Sequence, residues 1–145
     1  MHKNKIILDS CVFNKLFLEE HDSEQAVDLI SALAQKNYRV LAPGLFLYEV
    51  LSIAKINNFP TVEAYDLIID FQLTLIELDD ACIRRAIAIC ETGHQKSGFP
   101  SFYDASYHAL AMQHNCYFVT ADQRHFTKTK QLGHILLLSD WEKVL

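Results

Sequence analysis

The chain has 145 residues, half of them hydrophobic and 21% charged, with a formal net charge of −5. That is the composition and length of one globular domain with a real core, and it excludes a disordered or fibrous chain. The acidic balance also argues against a duplex binder working by general positive charge, and four glycines and three prolines leave little material for linkers.

The elements can be taken in chain order. Lys5 to Leu8 is a short apolar run ended by Asp9, the pattern of a buried strand and too brief for a signal peptide or membrane span. Val12, Phe13, Leu16 and Phe17 then recur at helical spacing. Ser23 reads as the N-cap of a second helix, carrying Ala26, Val27, Ile30, Leu33 and Ala34. A second strand covers residues 39–42, and Pro43 is placed where a first helical residue tolerates proline, opening a helix to about Asn57. Residues 61–71 form another helix, and "LTLIEL" at 73–78 a third strand. Asp79 or Asp80 caps a helix with Ile83, Ala86, Ile87 and Cys90 on its apolar stripe. "TGHQKSGFPS", residues 92–101, is the conspicuous loop. A helix over 102–114, a strand over 117–119, a short helix from Arg124 and a last strand over 135–138 complete the chain.

Short apolar strands separated by amphipathic helices imply an α/β fold, a parallel sheet covered on both faces, within a single domain spanning 1–145. Ligands collect at the carboxyl ends of strands in such sheets, and Asp9 and Asp122 are predicted at that edge. Cys11, Cys82, Cys90 and Cys116 are scattered, without a C-x-x-C pair or zinc-spaced histidines, so a reduced, cytoplasmic protein without structural zinc is expected.

Four acids stand out, three of them with a ready local explanation. Asp9 and Asp122 each follow a strand and precede a helix, so each reads as an N-cap or as a site carboxylate. Asp104 lies three residues after Ser101, a capping-box pattern that leaves its carboxylate facing the same sheet edge. Glu49 has Leu45, Phe46, Ser52 and Ile53 at helical spacing, mostly a face expected to be buried; there it snorkels, pairs or binds a metal. Brought together, the four would repel one another and raise their own pKa values. A hard divalent cation, Mg²⁺ or Mn²⁺, relieves that repulsion. Without these four acids the formal charge would be −1 rather than −5, so the acidity is concentrated in them.

At "IILDS", "PGLFLYEVLSI", "FYDASYHALA" and "YFVTADQRHF" the sequence resembles a PIN domain, of the small single-domain type found in VapC toxins. Motif order, spacing and total length match over essentially the whole chain. The resemblance implies a three-layer α/β/α sandwich around a five-stranded parallel sheet. It implies a metal-dependent ribonuclease site built from Asp9, Glu49, Asp104 and Asp122, with Thr120 as a polar helper. An RNA substrate and an antitoxin partner follow from the same likeness. The helices over 23–36 and 46–71 are rich in Leu, Ile, Phe and Tyr; most of that surface is expected to be core, and any surplus would suit a homodimer partner or an inhibitory peptide laid in a groove. One departure is Cys11, where the family often has Asn or a small polar residue; Ser10 and Asn14 are candidates to replace its hydrogen bond.

His108, four residues after Asp104, shares its helix face and either touches substrate or is packed. Arg124, His125, Lys128 and Lys130 form a basic cluster that either guides phosphates or is a solvated face. Ser10 and Ser101 lack the G-x-S-x-G elbow of a serine hydrolase. A phosphoaspartyl enzyme of the haloacid-dehalogenase type would need an acid at Cys11. The rival that remains is a PIN-like binding module without catalysis.

Overall fold

The computed structural model describes residues 1, 4–93, 96 and 98–145. Part of the predicted 92–101 loop, at His94, Gln95 and Ser97, and part of the N-terminal lead, at His2 and Lys3, lie outside the described residues.

Among the described residues, five strands form one sheet: β1 (Lys5–Leu8), β2 (Arg39–Pro43), β3 (Thr74–Ile76), β4 (Tyr117–Thr120) and β5 (Ile135–Leu137). Every pairing is parallel and the order is β3-β2-β1-β4-β5, so β1 is central. The chain steps outward from β1 to β2 and β3, then crosses to the other side of β1 for β4 and β5. The strand order therefore reverses between β1 and β4, where an open parallel sheet leaves a crevice at its carboxyl edge. Ile6, Ile7, Leu8, Leu41, Phe118 and Val119 are fully buried, which explains why the inner strands read as continuous apolar runs rather than as alternation. β3 is an edge strand, more exposed and only half the length of the apolar run at 73–78.

The helices are α1 (Ser10–Phe13), α2 (Ser23–Gln35), α3 (Leu45–Ile56), α4 (Thr61–Phe71), α5 (Asp80–Cys90), α6 (Phe102–Gln113), α7 (Gln123–Thr129) and α8 (Trp141–Val144). They cover both faces of the sheet, giving the α/β/α sandwich. α6 lies across β1, β2 and β4 with α5 packed against it. It is buried around its whole circumference from Ala105 through Ala111, and the alanines at 105, 109 and 111 admit close neighbours.

Several local readings shift. The spacing from Val12 resolves into α1 and a 3-10 turn (Asn14–Leu16) rather than one helix. Pro43 ends β2, paired with Ile76, and Gly44 precedes α3. Ser23 is the first residue of α2 rather than its cap: its hydroxyl donates to the Leu18 carbonyl at 2.7 Å and accepts from the Glu20 amide at 2.9 Å. α2 buries Leu29 and leaves Val27 exposed, and α5 buries Cys82 and Ile89 while Ile83 and Ile87 face outward. β5 stops one residue early because Leu138 begins a 3-10 turn (Leu138–Asp140), and α8, too short to leave a periodic signal, follows it.

Candidate active site

The carboxyl edge of β1 and β4 builds the site. Leu8 pairs with Val119, so Asp9 and Thr120 are the next step of the ladder, and the Asp9 amide donates to the Val119 carbonyl at 3.0 Å. Thr120, fully buried, donates its hydroxyl to Asp9 Oδ2 at 2.6 Å and accepts from the Asp122 amide at 3.0 Å. Asp9 Oδ1 takes the Cys11 amide and the Ser10 hydroxyl, each at 3.4 Å. Asp9 is thus the N-cap of α1 and a buried carboxylate at once. Burial raises its pKa, with Thr120 and Cys11 opposing and Asp122 adding to the rise.

Glu49 projects from α3 beside the buried stripe of Phe46, Val50 and Ala54. Its Oε1 accepts the Tyr107 hydroxyl at 2.6 Å and the Ser10 hydroxyl at 3.1 Å. Burial raises its pKa, Tyr107 and Ser10 lower it, and Asp9 pushes it up again. Tyr107 comes from the buried face of α6 and stacks on Phe118 with ring centroids 5.4 Å apart. Its role had no signal in the sequence beyond an aromatic within "FYDASYHALA".

Asp104 sits in the first turn of α6, its amide donating to the Ser101 hydroxyl at 3.1 Å and its Oδ2 lying 3.2 Å from that oxygen. Burial, then the charges of Asp9 and Asp122, push the Asp104 carboxyl up to about 7; Ser101 opposes the rise and Glu49 adds to it. All four acids predicted from sequence therefore act on one neighbourhood. Asp122 caps α7, its Oδ1 accepting the Arg124 amide at 2.9 Å and the His125 amide at 3.2 Å.

The influences on Asp9, Glu49 and Asp104 are burial, hydroxyl and backbone hydrogen bonds, and one another's charge. An all-oxygen donor set in which burial first, and the neighbouring carboxylates next, lift one carboxyl to about 7 is matched to a hard divalent cation. Among the described residues, no three His, Cys, Asp or Glu side chains lie together as a ready-made ligand group. The carboxylates are each held by neutral donors and share a field rather than a common contact.

Cys11 keeps its backbone donor to Asp9, and its thiol lies 3.7 Å from the Thr120 hydroxyl. Burial and then the Asp9 charge push that thiol well up, so it stays neutral. The Ser10 hydroxyl lies within hydrogen-bonding distance of both Asp9 and Glu49, so of the two candidates to replace the missing hydrogen bond it is the one in place, whereas the Asn14 side-chain oxygen meets no donor. His108 is fully buried, its Nε2 2.7 Å from the Gly133 carbonyl and its Nδ1 3.3 Å from His125 Nε2. It is a packed histidine that ties α6 to α7 and to the turn before β5. Arg124 and Lys130 are exposed, and Lys128 donates to the Phe99 carbonyl at 3.3 Å.

A parallel sheet in this order, edged by these acids, defines a class of acid-lined α/β domain with its site at the strand switch. The chain belongs to the PIN domain family, whose model matches residues 6–132. Among solved structures it is similar to VapBC2 from Rickettsia felis bound to a DNA fragment from its promoter, with TM-score 0.66 and 15% identity over 92% of this chain and 96% of that one. A toxin–antitoxin complex from Klebsiella pneumoniae gives TM-score 0.65 and 14% identity over 92% and 97%. Mycobacterium tuberculosis VapC20, described as a sarcin-ricin loop cleaving toxin, gives TM-score 0.60 and 16% identity over 76% and 83%. No curated protein matches the chain. Among the described residues no helix is long and apolar enough to cross a membrane.

Proposed function

We propose that this PIN domain is a divalent-metal-dependent endoribonuclease that hydrolyses RNA phosphodiester bonds, acting in the cytoplasm as the toxin of a toxin–antitoxin pair. The observation that carries the reading is the meeting of Asp9, Thr120 and Asp122 at the carboxyl ends of β1 and β4, with Asp104 close enough to feel the charges of Asp9 and Asp122. Family membership and the toxin–antitoxin structures of like fold support the substrate class and the partner.

Asp9, Glu49, Asp104 and Asp122 would hold Mg²⁺ or Mn²⁺. When bound, such a cation polarises a phosphate oxygen and lowers the pKa of a coordinated water. The protein's own share is positional. Thr120 fixes one oxygen of Asp9 and the backbone of Asp122 together, so the two strand-end acids keep one spacing. Tyr107 and Ser10 hold Glu49 turned toward the cluster. Asp104, raised to about 7 in the metal-free protein, would give up its proton on taking the cation, so uptake of the ion should weaken as pH falls. Exposed apolar residues on α3 and α4, among them Ile56, Val62 and Ile69, offer surface for an antitoxin and for a homodimer.

The spread of the carboxylates favours one second reading, a PIN-fold binding module without catalysis. Two measurements separate them. RNA cleavage should occur with Mn²⁺, stop with EDTA and be lost in Asp9→Asn; cleavage surviving both treatments removes the mechanism. Millimolar Mn²⁺ should raise the melting temperature of the wild type, and Asp104→Asn should abolish the shift; no shift in the wild type leaves the binding module ahead.

A further inference from the structure

Two buried histidines lie one helical turn behind two of the acids, and the proposed chemistry uses neither. His108 follows Asp104 by four residues on α6, and His125 follows Asp122 by three on α7. His108 is fully buried and His125 is 3% exposed. Their rings meet edge to face, with His108 Nδ1 lying 3.3 Å from His125 Nε2.

The direction of this contact follows from its far end. The Gly133 carbonyl, 2.7 Å from His108 Nε2, can only accept, so that nitrogen carries the proton. Burial keeps both rings neutral, which leaves His108 Nδ1 bare, and His125 Nε2–H donates to it. His125 Nδ1 is then bare as well, and it is buried without a donor. An unpartnered buried acceptor is uncommon and costly, and an apolar pair of rings would avoid it. Packing alone therefore does not account for the pair.

What the link joins does account for it. α6 carries Asp104, α7 carries Asp122, and the Asp104 carboxyl feels the Asp122 charge. The His125 amide also donates to Asp122 Oδ1 at 3.2 Å, so the residue holds the acid on one side and α6 on the other. The two helices share few other close backbone approaches. We propose that His108 and His125 are positioning residues, whose hydrogen bond sets the separation of Asp104 and Asp122 and with it the affinity of the site for a divalent cation. The assignment rests on the metal-site reading and adds what keeps two of its acids at one spacing. Neither ring touches the ion or the substrate.

Mn²⁺ titration of the metal-free protein, read from the free-ion EPR signal, tests this with three variants. Both rings pack against Phe118, so Phe at either position fills the space with a ring and removes the hydrogen bond. His125→Phe and His108→Phe should each weaken Mn²⁺ binding roughly 10- to 100-fold, the loss typical of cutting groups that orient metal ligands. His125→Gln sets an amide N–H where Nε2–H stood and should restore wild-type affinity. A Phe variant that binds as tightly as wild type overturns the proposal, and so does a Gln variant as weak as the Phe variants. The two Phe variants cut the link from different helices, so if one fails to fold the other decides. If neither folds, a Gln variant weaker than wild type overturns the proposal. Melting of the metal-free variants separates position from stability: Mn²⁺ affinities that merely follow the melting temperatures overturn the positioning role. No Mn²⁺ binding by the wild type removes the metal site and this proposal together, whereas wild-type binding indifferent to both Phe substitutions removes this proposal alone.

Discussion

Asp104 is the residue at which cluster and solvent meet. Its carboxyl is pushed up to about 7 against a usual 3.8, so the fold binds its proton more tightly than the unfolded chain does. The stability it contributes is complete below about pH 4 and is lost as pH rises through about 7. Asp104→Asn should therefore stabilise the metal-free protein at pH 8 by on the order of 1–3 kcal/mol, discounted from the full shift for solvent that still reaches the group. Near pH 4 the same substitution should have little effect, and urea titrations at the two pH values check both. Tyr107→Phe removes the 2.6 Å donor to Glu49. It should cost about 1 kcal/mol and raise the Glu49 pKa further, read by denaturation and by NMR titration of that carboxyl. Neither Tyr107 nor the bridging Ser10 hydroxyl belongs to a charged pattern, so only their spatial neighbours give them a role. The acids themselves were legible one by one, because carboxylates at strand ends, in a first helical turn or, for Glu49, on an apolar helix face are a local signal.

Among the elements, capping and site chemistry fall on the same residues. Asp9 caps α1, Asp122 caps α7 and Ser101 caps α6 above Asp104, so the bland reading holds and leaves the proposed site role open to the same side chains. They separate by substitution. Asp122→Asn should keep stability close to wild type, since Asn caps as well as Asp, whereas Asp122→Ala should cost about 1 kcal/mol. Both should lose Mn²⁺-dependent melting stabilisation, because both remove the charge; calorimetry on the pair checks the split. α4 ends on Gln72 with φ 58° and ψ 34°, a left-handed position occupied by a residue without the short polar side chain that eases it. Gln72→Gly should raise stability by about 0.5–1 kcal/mol, visible as a higher melting temperature. Element existence was readable from apolar periodicity, but the buried faces of α2 and α5 were not. The stripes holding Val27, Ile83 and Ile87 are as apolar as those holding Leu29 and Ile89, and only the packing partners choose between them.

At the scale of the whole molecule, the buried histidines and Asp104 oppose each other in pH. His125 is depressed to about 4, by burial first and by His108 next, and His108 is depressed by burial. A histidine held neutral contributes stability above its unfolded pKa of about 6.5 that is lost as pH falls toward 4. Asp104 contributes in the reverse direction over an overlapping window, so the wild-type profile between pH 4 and 6.5 is flattened. In Asp104→Asn the opposition to the histidines is reduced to that of Asp9 and Glu49, so stability should climb more steeply with pH across that interval than in the wild type, read by guanidinium unfolding at half-unit steps. The sequence by itself determined the five strand positions, the α/β class and the four acids, since apolar runs and strand-ending carboxylates are properties of neighbours in the chain. Only the tertiary structure decided the order β3-β2-β1-β4-β5, and with it the meeting of Asp9 with Thr120 and Asp122. Sheet order turns on the β1–β4 pairing, between segments more than a hundred residues apart, and no local pattern encodes which strand lies beside which.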